Sequence, residues 1–470
     1  MPGDATSHAS WQRLVAEIEG FEATIRTLPP VNEAEPAALR AALASRFRFD
    51  APIPLDRLTE DVIGMLRSGL VHVTHPRYFG LFNPSTRPAA VMGDALAALY
   101  NPQLAAWSHA PVVQELERHV LATLAGLLGY DGATCGAHFT SGGAEANFTA
   151  VQAALADRCP GWSEDGLTAL PRRPVLYVTG ESHHSFLKIA RMAGLGTSAI
   201  REVPVTERLQ MDVTALDAMM TADAASGLLP LLVVGTAGTT SAGVVDPLHA
   251  IADVAARHGA WFHADAAWGG GAAMSPRLRP LLDGIARADS ITWDAHKWLS
   301  VPMGAGMIFT RHPEAFRKAF GVHTSYMPPA ADATTVDPYH ASAQWSRRAT
   351  GLKLFCALAE LGLDGYAALI DHQAAMGELL RDELRAAGWI VVNDTPLPVV
   401  NTTHPRIRSG ERTTAQVRDR VYARGRTWIS EVMLTGRERT IRACITSYLT
   451  TAADVQVLVE ELNAAVDGEG

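Results

Sequence analysis

The sequence predicts an α/β protein with a mostly parallel central sheet flanked by helices, a helical segment before it and a smaller α+β domain after it. Two observations carry this prediction. Apolar runs of strand length alternate with segments of helical period through the middle of the chain, and each run is continuously apolar. A strand of that kind is buried on both faces, as it is in a parallel sheet covered by helices on both sides.

Residues 1–72 form a predicted N-terminal helical segment. The stretch WQRLVAEIEGFEATIRTL places Leu14, Ile18, Phe21 and Ile25 on one stripe, which is the spacing of an amphipathic helix. Pro-rich turns join this helix to the ones that follow. Because short helices joined in this way lack a core of their own, we expect them to pack against the main domain or against a second subunit.

Residues 73–346 form the predicted large domain. Its strand-like runs are PVLYVTG, PLLVVGTAGTT, AWFHADAAW and SITWDAH, with helical segments such as PLHAIADVAARHG between them. Parallel strands end at one edge of their sheet, and ligands of such sheets bind at that edge. Polar residues and glycines follow several of these runs directly, so we expect the functional site there.

Residues 347–470 form the predicted small C-terminal domain. This part begins with the helical stretch RRATGLKLFCALAELG and includes the strand-like stretch TIRACITSYLTT. A long loop, TSYMPPAADATTVDPYHASAQWS, precedes it. Loops of this length inside a compact domain are lids or disordered segments.

Composition narrows the class of protein. The chain has 470 residues, of which 48% are hydrophobic and 19% charged, and its formal net charge is -9. This balance argues against nucleic-acid and membrane partners and favours small molecules. Four separated cysteines without a CxxC pair predict neither a zinc cluster nor a disulfide framework. Because no signal-peptide pattern and no apolar stretch of membrane length occurs, we expect a cytoplasmic protein.

The stretch HFTSGGAEANFTAVQAAL contains a candidate phosphate seat. Ser141, Gly142 and Gly143 follow an extended run, and an apolar helix begins directly after them. Glycines let a ligand approach the backbone, and the free N–H groups at the start of a helix attract an anion. Taken alone, the pattern fits an ordinary helix start capped by Ser141 better, because such motifs are common.

Two further stretches place polar side chains after strands. WFHADAAWGGG carries His263 and Asp265; this carboxylate could cap a helix, pair with a basic group or bind a protonated ring nitrogen. A metal site is disfavoured because the sequence has no second cluster with ligand spacing. TGESHHSFLKIA carries His183 and His184, of which at most one can face a given site because successive residues point in different directions.

Lys297 has unusual neighbours. In SITWDAHKWLSVP it lies among hydrophobic and small residues, without the adjacent acidic partners of most surface lysines. An amine held in an apolar pocket is a nucleophile that forms Schiff bases. A phosphate seat, a carboxylate, a histidine able to stack and an amine, each after a separate strand, are together the parts of a pyridoxal 5'-phosphate (PLP) site.

Six motifs occur in order along the chain: SGGAEAN, HHSFLK, GTAGTT...DP, HADAAWGG, TWDAHKW and RACITSYLTTAADV. In that order and at that spacing they resemble the group II PLP-dependent amino-acid decarboxylases, a family that includes the aromatic-amino-acid, glutamate, cysteine-sulfinate and diaminobutyrate decarboxylases. The resemblance implies PLP fold type I, which is aspartate-aminotransferase-like. It also implies a homodimer with active sites at the subunit interface, in which the N-terminal helices serve in dimerisation.

The resemblance implies a role for each motif. Lys297 would hold PLP through a Schiff base, and Asp265 would bind the ring nitrogen of the cofactor. His183 would stack on the ring, because the family pattern fits His183 and not His184. Asp294 stands where an asparagine is common in aromatic-specific members. The predicted cofactor contacts besides Lys297, Asp265 and His183 are Gly142, Gly143, Ala144, Thr240, Ala267, Asp294 and His296.

The implied reaction is the loss of CO2 from an L-amino acid to give an amine. In the family, a tyrosine on a mobile loop of the partner subunit protonates the carbanion that remains. The candidate in this chain is Tyr339, with Tyr326 second. Without a tyrosine at that position, the family precedent is oxidative deamination to an aldehyde.

The predicted substrate pocket is apolar and contains Phe79, Leu81, Phe82 and Trp107. This lining favours an aromatic or otherwise large L-amino acid, although Ala105 stands where aromatic-specific members carry a phenylalanine. Arg77 or Arg87 could instead bind an acidic substrate.

Two other classes remain open. An aminotransferase of the same fold would use a C-terminal arginine to bind the substrate carboxylate, and Arg442 resembles such a residue, although the decarboxylase pattern assigns it to a structural segment. A non-catalytic relative is disfavoured because Lys297, Asp265 and His183 are all retained.

Overall fold

A seven-stranded sheet forms the centre of the computed structural model, which describes residues 5–327 and 335–468. Its strands are β1 (Gly136–Thr140), β2 (Pro174–Thr179), β3 (Ile200–Val203), β4 (Leu229–Thr236), β5 (Trp261–Asp265), β6 (Ser290–Asp294) and β7 (Gly306–Thr310). Their order across the sheet is β1-β7-β6-β5-β4-β2-β3. Strand β7 is antiparallel to both of its neighbours, and the other six strands share one direction. The predicted mostly parallel sheet is therefore confirmed.

Both faces of this sheet are buried, as continuously apolar strands require. In β2, Val175 and Tyr177 pack into one hydrophobic cluster, whereas Leu176 and Val178 pack into another. Successive side chains of a strand point to opposite faces, so the two clusters lie on opposite sides of the sheet. The four apolar runs singled out in the sequence form β2, β4, β5 and β6.

Helices precede the sheet, cover it and continue into the second domain. The N-terminal helices are α1 (Ala5–Thr24), α2 (Pro36–Arg46) and α3 (Leu55–Gly69). Those around the large sheet are α4 (Pro88–Tyr100), α5 (Pro111–Leu127), α6 (Gly143–Arg158), α7 (Trp162–Asp165), α8 (Ser185–Met192), α9 (Val213–Ala225), α10 (Leu248–His258) and α11 (Pro313–Phe320). Those that follow are α12 (Gly351–Ala386), α13 (Pro405–Arg408), α14 (Thr414–Arg424) and α15 (Ala452–Asp467).

Helix α12 joins the two domains. It contacts α4 and α5 on the large domain and α15 on the small domain. The helix is kinked at Gly362, whose φ of 63° is a left-handed conformation that glycine adopts at little cost. The predicted start of the small domain at residue 347 thus lies just before a helix that both domains share.

The second sheet is antiparallel and has four strands, β8 (Ile390–Val391), β9 (Val399–Thr403), β10 (Ser430–Met433) and β11 (Arg439–Cys444), in the order β10-β11-β9-β8. The chain around Phe79 joins this sheet. Its N–H donates to the carbonyl of Trp428 (2.8 Å), and its carbonyl accepts the N–H of Cys444 (2.9 Å). A segment assigned to the large domain from sequence thus contributes to the sheet of the small domain.

The N-terminal helices keep large apolar side chains at the surface of the chain. Helix α2 has no buried residue. The exposed fraction is 60% for Trp11 on α1 and 50% for Leu66 on α3, and it is 92% for Phe49 in the connection between α2 and α3. Of the stripe predicted on α1, Ile25 is buried but Leu14 and Ile18 are exposed. These helices do not form a core of their own.

Across the described ranges, each helix is too short or too polar to serve as a membrane span.

Candidate active site

One cavity collects side chains from the segments that end or follow β1, β2, β4, β5 and β6. These strand ends share one edge of the sheet, where ligands of open α/β sheets bind. This is the edge at which the sequence predicts the site. The residues that line the cavity are Phe82, Gly143, Ala144, Asn147, His183, Thr236, Gly238, Thr240, Asp265, Ala267, Trp268, Asp294 and Lys297.

Lys297 lies in the turn after β6 and has a carboxylate partner. Its Nζ is 3.0 Å from Oδ2 of Asp294, the last residue of the strand. Asp294 is 1% exposed, and its other oxygen, Oδ1, accepts no hydrogen bond from any residue in the described ranges. The surroundings of Lys297 are therefore not purely apolar, as its sequence neighbours suggest, because the turn brings Asp294 back against the amine.

The predicted phosphate seat lies where α6 begins. The N–H groups of Glu145 and Ala146 bond to the carbonyl of Gly142, so those of Gly143 and Ala144 precede the first helical hydrogen bonds and face an incoming ligand. A Cβ on Gly143 would lie 2.9 Å from Oδ2 of Asp294 and 3.1 Å from Cβ of Ala267. Glycine therefore keeps the seat open.

The alternative of a plain cap by Ser141 does not hold. The N-cap residue is Gly142, and no side chain caps this helix start. The hydroxyl of Ser141 donates instead to Glu145 (2.6 Å). The first N–H groups of the helix are thus left for another acceptor.

His296 lies next to the seat without lining the cavity. Its Nδ1 accepts the N–H of Ala305 (3.1 Å), and a Cβ on Gly142 would lie 3.5 Å from its Cε1. Burial lowers the pKa of His296. A neutral ring that accepts at Nδ1 carries its proton on Nε2, so His296 can donate one hydrogen bond on the side of Asp294, whose Oδ2 is 3.8 Å from Nε2.

Asp265 ends β5 with its carboxylate held from two sides. Oδ1 accepts the N–H of Ala267 (3.1 Å), and Oδ2 accepts from Nδ2 of Asn147 (2.8 Å). The side chain lines the cavity although only 4% of the residue is exposed. Of the roles left open by the sequence, the binding of a cationic ring nitrogen fits this fixed, inward-facing carboxylate best.

Of the two adjacent histidines, His183 lines the cavity and His184 does not. The Nδ1 of His183 accepts the N–H of Ser185 (3.2 Å), which holds the ring at the start of α8. Partial burial lowers the pKa of His183, an effect opposed by the nearby charge of Asp265. The imidazole is therefore a neutral, oriented ring at the cavity wall.

Arg442 ties the small domain to the cavity wall. It donates from Nη1 to the carbonyl of Thr240 (2.6 Å), from Nη2 to the carbonyl of Gly80 (3.1 Å) and from Nε to Oγ of Ser430 (3.0 Å). Its guanidinium also lies 5.7 Å from the ring centre of Phe82. Because all three nitrogens are engaged and the residue does not line the cavity, Arg442 lacks the free fork that an aminotransferase would need.

The four residues of the predicted substrate pocket do not come together within this chain. Phe82 lines the cavity, with its ring 4.7 Å from that of Trp268. Phe79 is 0% exposed and packs in the core of the small domain, whose sheet its backbone joins through Trp428 and Cys444. Leu81 is exposed, and the indole N–H of Trp107 donates to Glu115 (3.0 Å) outside the cavity.

Tyr339 lies outside the cavity of its own chain. It belongs to a short 3-10 turn, its N–H donates to the carbonyl of Ala105 (3.3 Å), and its ring packs against those of His340 and Trp345. Burial raises the pKa of Tyr339, so the phenol keeps its proton at neutral pH. Tyr326, the second candidate, is 72% exposed; residues 328–334 of the predicted loop lie outside the described ranges.

Neither arginine proposed for an acidic substrate lines the cavity. Arg77 donates to Asp454 (3.0 Å), a residue of the small domain. Arg87 pairs with Glu360 (3.1 Å) and stacks on the ring of Tyr448. The polar groups that the cavity offers a substrate are thus those of histidine, threonine, asparagine, aspartate and lysine.

Asn147, Thr236, Gly238 and Trp268 also line the cavity and are not among the predicted site residues. The position of Asn147 in the sequence could have predicted its place in the cavity. It follows Gly143 by four residues on α6, and residues at that spacing share one face of a helix. A polar side chain on the face of the phosphate seat therefore pointed to the same cavity.

Both ring nitrogens of His263 have partners within the large domain. Its two ring nitrogens lie 2.8 Å from Oγ of Ser290 and 3.0 Å from Oδ1 of Asn147. Residues 5–327 and 335–468 contain no group of three histidine, cysteine, aspartate or glutamate side chains arranged to hold a metal ion.

Comparison with known families gives a match over most of the chain. Residues 36–400 match the model of the pyridoxal-dependent decarboxylase conserved domain. Cysteine sulfinic acid decarboxylase of Mus musculus is 35% identical over 321 residues, which are 67% of this chain and 64% of the mouse protein. Tryptophan decarboxylase 1 of Oryza sativa is 30% identical over 383 residues, or 78% of this chain and 74% of the rice protein.

Solved structures match over the whole length of the fold. Superposition of this chain on the crystal structure of mouse CSAD gives a TM-score of 0.90 with 28% sequence identity, and it covers 98% of this chain and 99% of the mouse chain. The crystal structure of Oryza sativa TDC with PLP and tryptamine has a TM-score of 0.91 and 25% identity, covering 100% of this chain and 99% of that one.

Proposed function

The chain belongs to the pyridoxal-dependent decarboxylase family, and we propose that it removes CO2 from an L-amino acid, with an aromatic or other large side chain favoured, to give the amine. One observation carries the proposal. The amine of Lys297, the carboxylate of Asp265, the ring of His183 and the start of α6 meet in one cavity, although they come from four separate segments.

The cofactor of this family is PLP, and the residues of the cavity fit it. PLP carries a phosphate, a ring nitrogen that is protonated in its active form, an aromatic face and an aldehyde. The cavity offers, in the same order, the free N–H groups of Gly143 and Ala144, the Asp265 carboxylate, the His183 ring and the Lys297 amine. The cradle at Gly143, which a Cβ would fill, is the observation that tests this fit.

Bound PLP supplies an electron sink for the electron pair released when CO2 leaves. The residues of this chain would do the rest. Lys297 would hold the cofactor covalently and be displaced by the substrate amine, and Asp265 would keep the ring nitrogen protonated. Gly142, Gly143, Ala144 and His296 would bind the phosphate, and Thr240, Ala267 and His183 would border the ring.

The side-chain preference rests on the walls of the cavity. Phe82 and Trp268 form an aromatic surface, and the arginines expected for an acidic substrate are bound elsewhere. Binding an acidic side chain without a cation would leave a charge unpaired at a high desolvation cost. A large uncharged side chain would instead gain from contact with the aromatic pair.

We further propose a homodimer in which the two chains complete each other's sites. The exposed apolar side chains of α1, α2 and α3 form the kind of surface that a second subunit covers. Tyr339 would then reach the cavity of the partner and give a proton to the carbon that has lost CO2. Sedimentation should give a dimer mass, and Phe49→Glu, in the exposed connection between α2 and α3, should lower it.

The test of the activity is a panel of L-amino acids, comprising aromatic, acidic, basic and sulfinate members, incubated with the PLP-loaded protein. We expect CO2 and the matching amine in equal amounts from an aromatic member, and neither from the Lys297→Ala variant. Keto acid without CO2 would make the protein an aminotransferase and contradict the proposal.

An aldehyde synthase is distinguished in the same experiment. That reaction consumes O2 and water and yields CO2, aldehyde, ammonia and hydrogen peroxide in equal amounts. Measurement of peroxide together with CO2 therefore separates it from simple decarboxylation.

A further inference from the structure

A chain of buried side chains runs from Asp265 away from the cavity, and the proposed reaction leaves it unexplained. Nδ2 of Asn147 donates to Oδ2 of Asp265 (2.8 Å), and Oδ1 of Asn147 lies 3.0 Å from Nε2 of His263. Nδ1 of His263 lies 2.8 Å from Oγ of Ser290, which accepts the indole N–H of Trp261 (2.8 Å). All five residues are 4% exposed or less, so water does not compete for these bonds.

The chemistry of the groups fixes the direction of every bond. A carboxylate of Asp265 can only accept, so Asn147 presents its NH2 to it and its oxygen to His263. That oxygen also accepts the hydroxyl of Thr292 (2.7 Å). An amide oxygen can only accept a hydrogen bond, so Nε2 of His263 must carry the proton that it shares with Oδ1 of Asn147.

The far end of the chain agrees with this direction. Burial lowers the pKa of His263 to about 4, so the ring is neutral and its Nδ1 has a lone pair. Ser290 accepts the indole N–H of Trp261, which can only donate, and turns its own proton toward Nδ1. Every donor in this series of hydrogen bonds, from Trp261 to Asn147, therefore points toward Asp265.

We propose that Asn147 and His263 are positioning residues that hold the Asp265 carboxylate in the orientation needed to bind the ring nitrogen of the cofactor. The inference rests on the proposed function, in which Asp265 has that role. The Asp265 carboxylate already disfavours a reversed Asn147 amide, whose oxygen would face a carboxylate oxygen. His263 and Thr292 disfavour it further, because the reversed amide would place its NH2 against two donors.

The two hydrogen bonds to Asp265 leave part of its carboxylate free to bind a cation in the cavity. The N–H of Ala267 bonds to Oδ1 and Asn147 bonds to Oδ2, which fixes the plane of the carboxylate. The lone pairs not used by these donors remain for a cation in the cavity. Loss of a hydrogen bond to a charged group weakens binding by about ten-fold or more, and we expect a loss of that size in PLP affinity.

The experiment compares His263→Leu with His263→Gln in the full-length protein. Leucine removes the donor at Nε2, whereas the amide of glutamine replaces it. We expect His263→Leu and Asn147→Ala to weaken PLP binding at least ten-fold and to shift the visible absorption of bound PLP, and His263→Gln to restore most of both. Thr310→Val is the matched control, because it removes two hydrogen bonds of a buried hydroxyl (2.8 Å to the carbonyl of Asp289 and 3.0 Å from the N–H of His312) from the same sheet, away from Asp265.

Spectra of the unmodified protein test the proposal even if a variant fails to fold. Nitrogen-15 spectra of histidine-labelled, PLP-free protein should show a histidine that is neutral at pH 7 and protonated at Nε2, and the loss of this signal in His263→Gln assigns it to His263. The proposal is overturned if that histidine is protonated at Nδ1. It is equally overturned if His263→Leu and Asn147→Ala lose only thermal stability, as Thr310→Val does, with PLP affinity and absorption unchanged. Failure of the wild-type protein to bind PLP would instead refute the proposed function.

Discussion

Nζ of Lys297 lies 3.0 Å from Oδ2 of Asp294, and the same carboxylate oxygen is the nearest atom to a Cβ built on Gly143, at 2.9 Å. A single buried carboxylate therefore stands between the amine that would hold the cofactor and the helix start that would bind its phosphate. It pairs favourably with the amine and opposes an anion at the helix start. Four predictions follow from this geometry and from the groups around it.

Asp294→Asn should strengthen PLP binding. The substitution keeps the shape of the side chain and removes a negative charge beside the phosphate seat. Relief of one such repulsion at a partly shielded site is worth about 1 kcal/mol, or roughly five-fold in affinity. Quenching of tryptophan fluorescence during titration with PLP measures the change, and the exposed Asp364→Asn controls for net charge. Weaker binding would mean that the pair with Lys297 matters more than the repulsion.

Gly143→Ala should close the phosphate seat. The new methyl group would meet Asp294 and the methyl group of Ala267 (2.9 and 3.1 Å), and crowding of this kind costs about 1–3 kcal/mol. We expect PLP affinity to fall on the order of ten-fold. Gly126→Ala, on α5, is the matched control, because a Cβ there has nothing within 4 Å and should leave PLP binding unchanged. Equal PLP affinities for the two variants would mean that the start of α6 does not bind the phosphate.

Stability should fall as pH is lowered from 7 to 4.5. Burial lowers the pKa of His75, His138 and His263 to about 4. Below about pH 6.5 these rings take up protons in the unfolded chain but not in the folded one, so acid favours unfolding. Burial raises the pKa of Asp246 to about 6, which works in the opposite direction.

The balance of three histidines against one aspartate is a loss of roughly 5 kcal/mol between pH 7 and pH 4.5. Urea unfolding at pH 7 and pH 4.5 measures it. His138→Gln should make the pH dependence shallower, whereas His119→Gln, at an exposed position, should leave the slope as it is. A stability that rises toward pH 4.5 would mean that the aspartate dominates.

Tyr339→Phe should change the product more than it changes CO2 release. If the phenol gives a proton to the substrate carbon of the partner, its loss leaves that carbon open to reaction with dissolved oxygen. We expect at least a ten-fold lower yield of amine per CO2, with aldehyde and hydrogen peroxide in its place. Tyr326→Phe should keep the amine. Unchanged amine from Tyr339→Phe would assign the proton to another group.

Local signals predicted much of the site. The strands were readable because a strand buried on both faces must be apolar throughout, as β2 is. Gly143, Asp265 and Lys297 were readable because each directly follows or ends such a strand, and strands of one direction end at one edge. A short motif at the end of a strand therefore predicts that its side chains lie at that edge of the sheet.

Contacts between distant segments were not readable in the same way. Phe79 was expected in the substrate pocket, but its place in the small domain depends on hydrogen bonds to Trp428 and Cys444, more than 300 residues away. Lys297 was expected in apolar surroundings, but the turn after β6 folds Asp294 back against it. Neither outcome follows from spacing alone.

The sequence by itself determined the sheet, the order of its strands along the chain and the set of chemical groups at its carboxyl edge, because hydrophobic period and short motifs are local properties. Tertiary structure alone decided which groups touch. The amide of Asn147 reaches Asp265 across 118 positions of sequence, and Arg442 reaches Thr240 across 202. Such bonds form because the sheet and the two domains bring distant backbone together, and no residue carries a local mark of the partner it will meet.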